Sequence, residues 1–60
     1  MKLSELLQVM RITTPCRVVD GKRDFEEYIG SVAVLKKKAH LQDREIAVSY
    51  ISDNILVILI

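Results

Sequence analysis

Cys16, His40 and Asp43 are the residues closest to a catalytic set in this chain of 60 residues. A thiolate activated by an imidazole, which a carboxylate in turn orients, is a nucleophile. Each of Cys16 and His40 is the only residue of its kind, and no local nucleophile signature surrounds the cysteine. A lone cysteine on a strand beside Val18 reads as a small buried hydrophobe. His40, next to Lys36-Lys37-Lys38, reads as an exposed loop residue. With no C-x-x-C or H-x-x-x-H spacing, neither a metal site nor a cofactor is expected. No catalytic residue is assigned and the chain is read as non-enzymatic.

Asp24, Glu26 and Glu27 form an acidic group able to serve acid–base work or a divalent cation. On a strand, however, Glu26 and Glu27 point to opposite faces. Together they read as a solvated edge that resists sheet-to-sheet association. The basic counterpart is larger. Lys36, Lys37, Lys38, His40 and Arg44 fall within nine residues, and Lys22 and Arg23 extend the first turn. Folded together, Lys22, Arg23, Lys36, Lys37, Lys38 and Arg44 would make a patch for phosphates. Neither a glycine-rich phosphate cradle nor a motif with stacking aromatics accompanies them. A nucleic-acid-binding accessory protein is therefore the second reading, not the first.

The elements that must position these groups are short. Leu3, Leu6, Leu7 and Met10 have the spacing of one apolar helix face. This predicts an amphipathic helix over 3–11, with Ser4 as its N-cap and Pro15 beyond its end. Residues 16–20 form a strand, Asp20-Gly21 a favoured hairpin dipeptide, and residues 25–29 the return strand at an exposed edge. Gly30 is expected to break that strand. Residues 31–35 fit either of two courses: a helical turn capped by Ser31, or a strand continuing through Val32-Ala33-Val34. Alternation resumes over 45–52, with Ile46, Val48 and Tyr50 on one face. Asp53-Asn54 tolerates positive φ and turns the chain into Ile55–Ile60, six apolar residues in a row.

One domain covers residues 1–60. The expected fold is α+β: a short N-terminal amphipathic helix packed on a curled antiparallel sheet of about four strands, built from two hairpins. A small β-barrel with a covering helix is the alternative. Ile55–Ile60 takes an inner position and has no wet face. Half of the residues are hydrophobic and only Phe25, Tyr28 and Tyr50 are aromatic, so packing falls to Leu, Ile and Val. A chain this small, with one cysteine and no metal staple, gains from self-association as a second source of burial.

The elements Lys2-Leu3-Ser4-Glu5-Leu6-Leu7, Val19-Asp20-Gly21, Tyr28-Ile29-Gly30 and Asp53-Asn54-Ile55-Leu56-Val57-Ile58 carry a resemblance that covers much of the chain. It resembles short uncharacterised proteins encoded by Gram-positive bacteria and their phages. Every matching element is a packing or turn element, so the resemblance implies no functional residue. The Lys36–Lys38 cluster departs from that pattern, as does Leu59, which replaces an acidic residue and makes the end more apolar.

The functional expectation is a small interaction or adaptor protein acting through homo-oligomerisation, as a homodimer, or through burial of an apolar sheet face against a protein partner. Ile55, Val57, Leu59 and Ile60 are the candidate interface residues. Small-molecule substrates and membranes are not expected partners, because a run of six is far short of the ~20 apolar residues needed to span a bilayer. An unpaired cysteine and the lack of a secretory pattern at the start make the cytoplasm the expected location.

Overall fold

A computed structural model describes all residues from Met1 to Ile60. Helix α1 spans Leu3–Val9, strand β1 Pro15–Asp20, strand β2 Glu26–Ser31, helix α2 Val32–Lys36, strand β3 Val48–Ser52 and strand β4 Ile55–Leu59. A single 3₁₀ turn, Ala39–Leu41, lies between α2 and β3. The four strands form one open sheet in the order β2-β1-β4-β3. The fold is α+β, with the helices packed on one face of the sheet.

The sheet differs from a simple antiparallel one at its centre. β1 pairs antiparallel with β2 and β3 antiparallel with β4, as two hairpins should. The hairpins meet through β1 and β4, which run parallel, with Cys16 beside Leu56 and Val18 beside Ile58. The cause is the connection between β2 and β3. It carries α2 and the 3₁₀ turn, long enough for a crossover, and parallel neighbours need such a crossover. The barrel alternative does not form, because β2 and β3 remain at opposite edges.

Alternation along β1 divides the sheet into two faces. Cys16, Val18 and Asp20 are buried, whereas Pro15 and Arg17 are exposed. β4 sends Leu56 and Ile58 to the same covered face, and Ile60 beyond its end also joins the core. Leu3 and Leu7 of α1, Val32 and Leu35 of α2, and Leu41 of the 3₁₀ turn close over them. Leu6 and Met10 pack at the margin, so the apolar face expected of the first helix is the one used.

Local details depart from expectation where side chains compete for the backbone. The N-cap is Lys2, not Ser4. Glu5 sits one turn in and its carboxylate accepts the Lys2 amide at 2.8 Å. The Leu3 and Ser4 amides donate to the carbonyls of Arg44 and Gln42, which ties the helix start to the segment before β3. Ser31 caps α2, its hydroxyl accepting from the Val34 amide. Gln42 finishes that helix by donating to the carbonyls of Leu35 and Lys38. Gly30 does not break β2. It stays in register opposite Cys16, where a Cβ would lie only 3.2 Å from the Val34 side chain.

The two turns use left-handed backbone. Asp53 and Asn54 have φ of 52° and 64°, the two-residue hairpin that their sequence predicts. In the first hairpin Asp24 and Phe25 have φ of 53° and 57°. Phe25 therefore belongs to the turn and not to β2, at a conformation that bulky residues rarely adopt.

Candidate interaction surface

The side of the sheet away from the helices is uncovered, and it is apolar. β4 presents Ile55, Val57 and Leu59 there, because Leu56 and Ile58 point the other way. Register places Val48, Tyr50 and Ser52 of β3 beside them. On the other flank Val19 and Ile29 share the face with Arg17 and Glu27, which form a salt bridge between β1 and β2. Ile29 is 71% exposed, Val48 52% and Tyr50 49%. Val57 is buried, shielded by neighbouring side chains of the same face. Between the ion pair on one side and Ser52 on the other, the surface is continuous hydrocarbon apart from one phenol.

The four expected interface residues divide by this geometry. Ile55, Val57 and Leu59 lie on the open face. Ile60 does not: it is 8% exposed and packs in the core, its amide bound to the Val19 carbonyl at 2.9 Å. One residue of offset separates the two roles, since side chains alternate across a strand.

The edges of the sheet contrast in composition. β2 carries Glu26 and Glu27, both exposed. β3 is Val-Ser-Tyr-Ile-Ser, exposed at every position and without charge, proline or glycine. Ile51 is 69% exposed. Natural sheets usually protect an edge with charge or proline. This one does not.

Cys16 lies in the core at 1% exposure, and burial pushes its thiol up to about 11. A protonated thiol without solvent access is a packing group. His40 is elsewhere, its ring edge-to-face with Tyr28 at 5.7 Å and its Nε2 3.5 Å from the Tyr28 hydroxyl. Burial, followed by the influence of Glu26, raises the Tyr28 phenol above its ordinary value and keeps it neutral. Asp43 approaches Lys2 at the surface. No three His, Cys, Asp or Glu side chains come together as a metal-binding group.

The basic set loses Arg44. Its guanidinium grips Asp20 with two parallel bonds, Nη1 to Oδ2 at 2.8 Å and Nη2 to Oδ1 at 2.9 Å. Asp20 is fully buried and also accepts the Lys22 amide at 3.0 Å. The Arg44 hydrogen bonds hold its carboxyl below the ordinary aspartate value against the opposing effect of burial. The same partnership raises the Arg44 guanidinium further. No buried side-chain polar atom is left without a partner. This pair fastens the end of β1 to the segment before β3, a structural role that the turn signal of Asp20-Gly21 conceals. The available signal was strand parity: Asp20 alternates with Cys16 and Val18, and an acid on a buried face calls for a cation.

Beside that pair lies a cleft of about 410 Å³. Lys22, Asp43, Arg44 and Glu45 line it together with Ile46, Ala47 and Ile60. Arg44 is already engaged, and the two carboxylates oppose Lys22. Lys36, Lys37 and Lys38 are exposed at the end of α2 and do not line it. No helix is long and apolar enough to cross a membrane. Comparison with protein-family models, curated proteins and solved structures finds no match to this chain.

Proposed function

We propose that this protein is a small, non-enzymatic interaction protein that self-associates and buries the apolar open face of its sheet. The observation that carries this reading is the composition of that face. Val48, Tyr50 and Ile55 are exposed hydrophobic residues, arranged with Val19, Val57 and Leu59 on one side of a rigid sheet. Scattered exposed apolar residues are ordinary, whereas a contiguous set marks a surface for association. Aromatic and aliphatic side chains fixed by strands lose little further freedom on binding, which favours such a face as a docking surface.

Sedimentation equilibrium at micromolar concentration, with a hydrophobic dye as a second probe, tests the reading. Self-association and dye binding should both decline in a Val48→Lys, Tyr50→Lys double variant. Circular dichroism should stay close to that of the parent, because both side chains are already outside the core. A parent chain that remains monomeric and binds no dye would remove the proposal.

A further inference from the structure

The area of the open face is small for the task. Four strands ~4.8 Å apart and five residues long give roughly 300 Å² of sheet surface. A standard stable interface takes about 800 Å² per partner. That footprint is flat and is shared with Arg17, Glu27 and Ser52. The apolar face of one chain is therefore no larger than a marginal contact needs, and the unprotected edge adds to it.

We infer that a second copy of the chain pairs antiparallel along β3, joining two four-stranded sheets into one of eight strands. The inference rests on the self-association reading and specifies its geometry. In a two-residue hairpin the residues that flank the turn form a hydrogen-bonded pair, and bonded residues alternate thereafter. Ser52 faces Ile55, Tyr50 faces Val57 and Val48 faces Leu59 across that ladder. Their amides and carbonyls point inward to β4. Ser49 and Ile51 consequently turn their amides and carbonyls to the free edge.

Those two residues are self-complementary under a two-fold axis. Centred on Tyr50, the antiparallel register sets Ser49 against Ile51 of the second copy, and Ile51 against Ser49 of the second copy. Two such pairs supply four main-chain hydrogen bonds, and all five residues of β3 overlap. Tyr50 then stands beside Tyr50 of the second copy on the open face, at the close spacing of a non-bonded cross-strand pair. No charge is brought near another, since Glu45 and Asp53 both lie outside the strand. The β2 edge cannot offer this, because a copy seated there would confront or desolvate Glu26 and Glu27. With one edge open and one charged, edge pairing stops at two chains instead of growing as a filament. The joined face doubles to roughly 600 Å² and lies on one side of a continuous sheet.

Amide hydrogen exchange of the full chain tests this, read at about 100 µM and at about 1 µM, a range spanning weak association. Val48, Tyr50 and Ser52 amides serve as internal references. The expected result is that Ser49 and Ile51 amides slow at least ~10-fold at the higher concentration. Ile51→Pro, which removes one outward donor and none of the β4 bonds, should restore free exchange at Ser49. Ile51→Lys should do the same by charging the edge, and it covers the case in which the proline variant fails to fold. Ile29→Lys, on the far strand, should leave protection at Ser49 and Ile51 unchanged. An oligomer whose Ser49 and Ile51 amides exchange freely would overturn the edge pairing while leaving face burial standing. A monomer at the higher concentration would overturn both.

Discussion

The two hairpins perform the same task with different materials. The β1–β2 hairpin alternates cleanly along β1, is charged along its outer strand, and turns through a left-handed phenylalanine. The β3–β4 hairpin is uncharged from Val48 to Ser52, apolar from Ile55 to Ile60, and turns through Asp53-Asn54, which suits that backbone. The first hairpin is finished: its inner strand is covered on one side, its outer strand guarded by Glu26 and Glu27, its end locked by Asp20 and Arg44. The second is well folded locally and incomplete at its surface. Local fit and surface protection are separate properties, and this chain assigns them to different hairpins.

The comparison breaks most severely at the lock. Arg44→Ala leaves a fully buried carboxylate without its cation, a mechanism that ranks among the most destabilising. The pH dependence should also weaken. In the parent, the folded-state pKa of Asp20 is lowered. Its stabilisation is present above the unfolded value and is lost as pH falls below about 4 toward the folded one. In the variant, burial becomes the largest influence on that carboxyl, opposed only by the Lys22 amide and Arg23. Its pKa therefore rises above that of the parent, and the deficit should shrink as the solution is acidified and the carboxyl becomes neutral. Urea titrations across pH 3–7 would read both slopes; parallel slopes would show that Asp20 does not depend on Arg44.

Next come the two inner strands. Ile58→Ala should cost roughly 2–5 kcal/mol, and Val18→Ala less, at ~0.8 kcal/mol for each buried carbon removed. Chemical unfolding measures both. A negligible loss from Val18 alone would mean that the second hairpin holds the core by itself. The smallest effects belong to the turns. Phe25→Asn should stabilise by up to ~1 kcal/mol by relieving left-handed backbone, and Asn54→Phe should cost about as much. Equal melting temperatures for the parent and both variants would show that neither turn is strained.

Much of this architecture was legible because its signals are local. The spacing of Leu3, Leu6, Leu7 and Met10, the Asp53-Asn54 turn and the alternation of residues 16–20 each depend on interactions within a few residues. The inner position of β4 between β1 and β3 was legible too, since a run without a polar side suits a sheet edge poorly. The cover expected on its second face is absent from the single chain. The parallel centre was not, because it depends on where α2 carries the chain. Phe25 has the preference of a strand residue, and tertiary context overrode that preference. Ile60 falls on the core face instead of the open one, and a uniformly apolar run has no alternation from which to read register. Arg44 groups with nearby lysines along the chain, although its partner lies 24 residues earlier. Charge along the chain does not reveal which cation is buried.

The parallel contact between Cys16 and Leu56 sets the order of assembly. Each hairpin closes over a short loop and can form on its own within microseconds. The contact that unites them spans residues 40 positions apart, and the entropy of closing that loop must be met before the core repays it. Until then β4 carries an uncharged, proline-free hydrophobic segment exposed on both sides, the profile of a nucleus for cross-β growth. For this molecule, the interval between hairpin formation and hairpin docking is the period of greatest risk.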